Sequence, residues 1–300
     1  MTHKPGTLFI VATPIGNLAD ISERALAILK QVDHIAVEDT RHSAPLLKQF
    51  GIHKPLKAIH DHNERLSLGW FSKELTAGHS IALISDAGTP LIADPGYHLV
   101  SGLRALNFTI VPIPGPCALI TALSASGLAT DHFCFEGFLS AKTAARLAQL
   151  EALCFEQRTM VFYEAPHRIL ETLHAMHSVF GETRLICVAR ELTKTFETIK
   201  TAPLAEIIPW IEADTNQQRG EFVVMVAGAP APDKQELSAD EQRLLTLLRR
   251  HMPLKAASHL AAEYTGKSKN AFYDFFKIYT HFIITIFCFY FRDFITRKHQ

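Results

Sequence analysis

Short apolar runs, each closed by a Gly- or Pro-bearing turn and followed by a stretch of helical period, recur through the first 116 residues and admit few folds. Thr7 to Ala12 is apolar and ends at Thr13-Pro14-Ile15-Gly16-Asn17. Ile21 to Lys30 then has helical period, with Asp20 or Ser22 as its cap. His34 to Glu38 is the next strand, and Arg41 to Phe50 a helix stopped by Gly51. Ile81 to Ser85 ends at Asp86-Ala87-Gly88-Thr89-Pro90, Gly96 to Leu106 is helical, and Thr109 to Ile113 ends at Pro114-Gly115-Pro116. This alternation predicts parallel βαβ units. The turns follow strand C-termini, the edge at which open α/β sheets bind ligands.

The second half reads as another α/β domain with a more mixed sheet. Strands are expected at Phe133 to Phe138, Thr159 to Tyr163, Leu185 to Arg190 and Glu221 to Ala227, and long helices at Lys142 to Phe155 and Ile169 to Phe180. The predicted fold class is therefore α/β: two α/β domains with a ligand cleft between them, plus a small helical C-terminal appendix. The domains are expected at 1–116 and 117–230, joined by a linker near Pro116 to Thr130. A second linker, Ala229 to Gln235, leads to an appendix at 236–274 with helical patterns at Ala239 to Arg250 and Leu254 to Tyr264, and a third starting near Lys269. This appendix is either a helix-turn-helix that binds RNA or a packing element. A tail at 275–300 holds an unbroken apolar run, Phe282 to Phe291, too short to span a bilayer, which needs about 18 residues or more.

Composition narrows the partners. Acids and bases balance at 30 each, which excludes a globally basic nucleic-acid coat but allows local patches. The five cysteines form no CxxC and read as reduced thiols of a cytosolic protein, and the start shows no secretory signal.

No GxGxxG follows the first strand and no GxxxxGKS occurs, so a dinucleotide fingerprint and a P-loop are both unsupported. The turns carry what chemistry there is. Asp86 follows an apolar strand, where a carboxylate binds ribose hydroxyls or an amino group, or else serves an Asx-turn or helix cap. Asp94 reads as a helix cap. Glu38-Asp39-Thr40-Arg41 reads as a solvated turn with a local ion pair. His60-Asp61-His62-Asn63-Glu64 is polar but lacks a partner motif, so a substrate loop or structural turn is favoured over a metal site, and no metal is expected. Tyr163-Glu164-Ala165-Pro166-His167-Arg168 and Arg190-Glu191-Leu192-Thr193-Lys194 lie at strand ends of the second half. There Arg168, Arg190 and Lys194 either hold phosphate or bridge to Glu164, Glu191 or Glu197.

Taken together, LFIVATPIGNLADISERAL, VEDTRHSAPLL, HDHNER, ALISDAGTPLIADPG, VPIPGPCALITALSASGL, FEGFL, FYEAPHRI, ARELTKTFE and RGEFVVMVAG resemble the bacterial ribosomal RNA small-subunit methyltransferase I group of the tetrapyrrole methylase-like superfamily. Cys117 stands where a serine is frequent. The resemblance implies a cytoplasmic homodimer with S-adenosyl-L-methionine between its domains. It also implies 2′-O-methylation of cytidine 1402 of 16S rRNA in the small ribosomal subunit. The shortness of the apolar run in the tail is the reason no membrane partner is expected. By matched motif, Pro14, Gly16, Asp86, Gly88, Thr89, Pro90, Pro114, Gly115 and Pro116 line the donor site, completed by Phe138, Tyr163, Glu164, Val226, Ala227 and Gly228. For the chemistry, Lys194 is expected to polarise the 2′-oxygen, with Glu164, Glu191 or Glu197 orienting it. Arg41, Arg168 and Arg190 are expected to hold RNA phosphate. Neutral overall charge favours an assembled subunit over naked RNA as substrate.

Overall fold

A computed structural model describes residues 5–60, 63–230 and 237–276. Its contacts form two compact units, 1–229 and 230–300.

The first sheet is wholly parallel. Its strands are β1 (Thr7–Val11), β2 (His34–Val37), β3 (Leu56–Ala58), β4 (Ile81–Leu83) and β5 (Thr109–Ile113), in the order β3-β2-β4-β1-β5. The apolar runs are uninterrupted because both faces are covered. Phe9, Val11, Ile35, Val37, Ala82 and Ile113 point to α1 (Glu23–Gln31) and α2 (Thr40–Gln49). Leu8, Ile10, Ala36, Ile81 and Leu83 point to α3 (Glu64–Thr76) and α4 (Tyr97–Ala105). Side chains alternate between faces with period two, so one run feeds two cores. Ser22 and Asp39 cap α1 and α2 by accepting backbone N–H groups, of Ala25 and Arg41 respectively.

The second sheet is mixed, as expected. It contains β6 (Phe133–Phe138), β7 (Thr159–Glu164), β8 (Leu185–Arg190), β9 (Thr198–Pro203) and β10 (Phe222–Val226), ordered β6-β7-β10-β8-β9. Only β6 and β7 are paired in parallel; β10 runs antiparallel between β7 and β8. One face packs on α6 (Thr143–Ala152), α7 (Ile169–Phe180) and α8 (Leu204–Glu212) through Leu150, Leu173, Met176 and Ile207. The other face packs on α5 (Ala118–Ala125). That helix occupies the stretch expected to be a linker. Leu119, Ala122 and Leu123 are buried against Val161, Ala189, Val223 and Met225, and Ile15 and Ile92 from the first sheet's loops join the same cluster. The two sheets thus share a core rather than a tether.

The second unit holds α9 (Ala239–Arg249) and α10 (Leu254–Thr265), followed by helix over 269–276. Ser238 and Glu241 form a reciprocal capping box at the start of α9, and Gly266 ends α10 in the left-handed conformation. Leu245, Ala257, Ala261 and Phe272 form its core. Among the described residues, no helix is long and apolar enough to cross a membrane. The apolar run Phe282 to Phe291, Asp61, His62 and most of the linker after Ala229 lie outside the described residues.

Candidate active site

Four turns converge at the carboxyl edge of the first sheet. Thr13 N donates to Gly88 O at 2.8 Å and Gly88 N returns to Thr13 O at 3.1 Å, so the turns after β1 and β4 are stitched together. Gly88 has φ +82°, a conformation that favours glycine, and a Cβ there would crowd Ile15 Cγ2 at 3.3 Å. Thr89 Oγ1 donates to Pro116 O at 2.9 Å, tying in the turn after β5. Asp86 reaches the turn after β2, accepting from Asp39 N and Ser43 Oγ at 3.3 Å each, with His42 Nδ1 at 3.1 Å. It is therefore neither a helix cap nor an Asx-turn residue; it ties two turns together.

Facing these turns is one edge of the second sheet, formed by the ends of β6, β7 and β8 and the start of β10. Between the two lies a cavity of about 470 Å³, within the range of small-molecule sites. Ile15, Ile92, Phe138, Tyr163, Leu192 and Phe222 supply its apolar wall. Three carboxylates, Glu38, Asp86 and Asp94, face in from the first sheet. Asp94 had been expected to cap α4. Gly96 takes the N-cap position instead, and Glu64, buried on α3, accepts from Leu99 N at 2.7 Å. Burial, then the negative charge of Glu38, push the Asp94 carboxyl up to about 6; a hydrogen bond with Ser85 opposes them, and the charge of Asp86 adds a smaller push upward. Such a cavity favours a cation.

At the rim, the turn after β1 meets the loop after β8. Asn17 N donates to Thr193 Oγ1 at 3.1 Å, and a Cβ on Gly16 would lie 2.5 Å from Lys194 Cγ. Lys194 Nζ donates to Glu191 Oε1 at 2.7 Å and Glu221 Oε2 at 2.6 Å. Burial works against the ammonium, but its two carboxylate partners outweigh it and raise the Lys194 pKa, so the group is protonated at neutral pH. Glu191, opposed by burial, is lowered by Lys194 and by the Glu221 backbone. Glu191 and Thr193 both hold positive φ, +51° and +66°, a conformation that costs of order 1–3 kcal/mol each and clusters at functional sites. Glu197 Oε2 steadies the loop by accepting from Thr193 N at 2.6 Å.

The remaining expected residues divide. Gly88, Thr89, Phe138, Tyr163, Glu164 and Asp86 line the cavity. Pro14, Gly16, Pro90, Pro114, Gly115 and Pro116 shape the turns behind it; a Cβ on Gly115 would lie 2.8 Å from Ala12 Cβ. Val226, Ala227 and Gly228 lie at the far end of β10, since Val226 pairs with Met160 and Ile186 while Phe222 pairs with Glu164 and Arg190. Tyr163 Oη accepts from Leu119 N at 3.2 Å and anchors α5.

Glu164 is 3% exposed and saturated: Arg168 at 2.7 Å, Thr172 Oγ1 at 2.6 Å and Ala165 N at 2.8 Å all serve it. It is a buried brace, remote from Lys194's bonds. Arg168 is spent on that brace and on Leu139 O. Arg190, also buried, donates to the carbonyls of Arg219 and Phe196. Only Arg41 is exposed, paired with Asp39, whose carboxyl it holds down at about 2 by side-chain and backbone hydrogen bonds. Sequence reasoning passed over Glu221, which lies 27 residues from Lys194 in the chain, and gave Asp94 to the wrong task. Among the described residues, the one group of side chains close enough to share a metal ion is His34, Glu74 and His79, at the amino end of β2 and away from the cavity.

Residues 7–208 match the family described as Tetrapyrrole (Corrin/Porphyrin) Methylases, and residues 235–275 match the RsmI C-terminal HTH domain. The chain is 58% identical to the ribosomal RNA small subunit methyltransferase I of Pseudomonas aeruginosa over 90% of its own length and 96% of the relative's. It is 53% identical to that of Escherichia coli O157:H7, covering 91% and 95%. Among solved structures, the methyltransferase CobJ superposes with a TM-score of 0.56 at 18% identity, over 75% of this chain and 95% of that one. Diphthine synthase superposes with 0.56 at 13%, over 74% and 90%. Stitched turns, a facing mixed sheet and these relatives agree: the chain belongs to the ribosomal RNA small subunit methyltransferase I family, on the tetrapyrrole methylase fold.

Proposed function

We propose that the protein transfers the methyl group of S-adenosyl-L-methionine to the 2′-hydroxyl of cytidine 1402 of 16S rRNA, acting as a cytoplasmic homodimer on the assembled small subunit. The observation that carries this reading is a nucleoside-sized acidic cavity with a charged Lys194 at its rim. The donor brings a methyl activated on a sulfonium cation. Glu38, Asp86 and Asp94 would complement that positive charge, and Ile15, Ile92, Leu192 and Phe222 would give the bound donor an apolar wall. Gly88 and Thr89 let backbone approach the ligand closely.

Lys194 donates a hydrogen bond to the ribose oxygen and holds it for in-line approach at about 3 Å. Being protonated, it positions the oxygen and does not remove its proton. Glu221, exposed at the rim and already bonded to Lys194, would receive the hydroxyl proton as the O–CH3 bond forms and the donor's S–CH3 bond breaks, releasing the donor as a neutral thioether. Glu191 fixes the amine's direction, and Glu197 fixes its loop.

Deleting the gene and mapping ribose methylation across small-subunit RNA tests the assignment. One lost 2′-O-methyl mark, restored by the wild-type gene and not by Lys194→Ala, is expected; an unchanged methylation map refutes it. Equal rates on naked RNA and on subunits would refute the choice of substrate form, and a monomer by light scattering the oligomeric state.

A further inference from the structure

The amino edge of the first sheet, opposite the cavity, carries its own cluster of chemistry-bearing side chains: His34, Glu74 and His79. His34 opens β2, Glu74 sits in the last turn of α3, and His79 lies in the connection from α3 to β4. The pairing of His34 with Ile81 brings the two histidines to one place, because His79 stands just before β4.

The three side chains converge on one oxygen. His79 Nδ1 lies 2.7 Å from Glu74 Oε2, and His34 Nε2 approaches the same oxygen at 3.5 Å. One ligand atom from each residue lies within 4.8 Å of the other two. The imidazoles meet edge to face with centroids 5.8 Å apart, so both rings border the carboxylate. A zinc ion bonded at about 2.0–2.1 Å in a tetrahedron holds its ligand atoms about 3.3 Å apart. The His34–Glu74 pair already stands near that spacing. The His79–Glu74 pair reaches it when the proton they share gives way to the ion.

The frame around the cluster is fixed by other contacts. Ser80 N donates to Asp33 Oδ2 at 2.8 Å and Asp33 N to Ser80 O at 2.9 Å, which clamps the neighbours of both histidines. His79 N donates to Glu74 O at 3.1 Å. Gly6 packs so closely that a Cβ there would lie 1.8 Å from His79 O. Trp70, one turn before Glu74 on α3, sets its ring edge-on to His34 with centroids 5.3 Å apart. The cluster is nevertheless open. The side chains of His34, Glu74 and His79 are 25%, 18% and 49% exposed, so an ion enters from solvent and keeps water as a fourth ligand.

We propose that His34, Glu74 and His79 bind a divalent transition-metal ion, zinc in preference to magnesium or calcium. Two imidazoles and one carboxylate suit zinc, whereas magnesium and calcium take oxygen ligands. The expectation of no metal rested on ligand spacing along the chain, and strand pairing assembles this set instead. The ion ties the start of β2 to the connection between α3 and β4, at the edge of the sheet away from methyl transfer.

The test uses tag-free, full-length protein stripped with a chelator and titrated with zinc chloride by calorimetry. Cobalt chloride serves as an optical probe. Wild type is expected to take up one equivalent of zinc with micromolar affinity or better. Its cobalt form is expected to show the intense visible bands of a four-coordinate ion, without the thiolate charge-transfer band that cysteine ligation would add. His34→Ala, His79→Ala and Glu74→Gln are each expected to weaken zinc binding at least about 10-fold. His174→Ala removes a different exposed histidine, paired with Glu212 at 3.1 Å, and is expected to bind zinc as wild type does. Zinc is expected to raise the melting temperature of wild type and His174→Ala, and not that of the other three. His79 is the most exposed of the ligands, so the stripped His79→Ala protein is expected to melt with stripped wild type, which separates a lost ligand from a lost fold. Wild type that takes up no zinc at micromolar concentrations would overturn the proposal. So would zinc binding that His79→Ala leaves intact, or a weak six-coordinate cobalt spectrum.

Discussion

Replacing Asp94 by Asn isolates the electrostatic design of the acidic cavity. The carboxyl titrates at about 6 instead of the ordinary 3.8, because burial and the charges of Glu38 and Asp86 disfavour its ionised form. At about 1.36 kcal/mol per decade, that gap corresponds to ~3 kcal/mol. The side chain is half-buried, so solvent screening leaves about half, ~1.5 kcal/mol. The folded-state pKa is raised, so the folded protein holds this proton more tightly than the unfolded chain. Stability is therefore unpenalised below the ordinary aspartate range, is lost as pH rises through 6, and stays reduced above it. Asp94→Asn removes the penalty without changing the side chain's volume. The ligand-free variant is expected to melt about 3–6 °C above wild type at pH 8 and level with it at pH 4. The same change should weaken binding of the cationic donor more than that of its neutral thioether product. Scanning calorimetry at both pH values and titration calorimetry with both ligands measure these effects. A variant less stable than wild type at pH 8, or equally shifted at pH 4, would refute the reasoning.

Other perturbations test other links. Arg168→Ala strands the Glu164 carboxylate with Thr172 and one backbone N–H, and is expected to cost about 3–5 kcal/mol in urea unfolding. Gly228→Ala would drive a Cβ to 1.8 Å from the Gln157 carbonyl oxygen, so soluble yield and melting temperature should fall together although no cavity residue is touched. Gly16→Ala meets Lys194 Cγ at 2.5 Å, and its expected signature is lost turnover with donor binding largely kept. Lys194→Arg keeps the charge but changes the hydrogen-bond geometry, and single-turnover rates should fall between those of wild type and Lys194→Ala.

The first sheet was legible because strands covered on both faces are continuously apolar, as β4 and Leu8 to Val11 of β1 are, and because β5, though an edge strand with Thr109 and Pro112 exposed, ends at Pro-Gly-Pro. β3 escaped notice because it is a three-residue edge strand, half-exposed throughout. β9, Thr-Ile-Lys-Thr-Ala-Pro, is also an edge strand and too polar to show a run. α5 looked like a connector because it follows Pro-Gly-Pro and is apolar on most sides. It is a helix that buries Leu119, Ala122 and Leu123 on the second sheet, while its exposed positions, Ile120, Ser124 and Ala125, carry no charge that would mark a solvent face. At the site, the Glu191–Lys194 pair follows from three-residue spacing, whereas Glu221 reaches Lys194 only through strand pairing. The placement of Val226 to Gly228 turned on direction. Carboxyl ends mark the site for the parallel strands, but β10 runs the other way and brings its amino end to the cavity.

That central, reversed β10 also sets an order on synthesis. It is the last strand of its unit to leave the ribosome and fills the gap between β7 and β8. Until Val226 has emerged, both neighbours present open edges, the kind of surface that pairs with other chains. The first sheet and its stitched turns can form well before then, but Glu221 and Phe222, which close the rim, are delivered with β10 itself. On the proposed function, a nascent chain would acquire the half of the site that binds long before the half that acts, with competence for transfer arriving only when its second sheet is sealed.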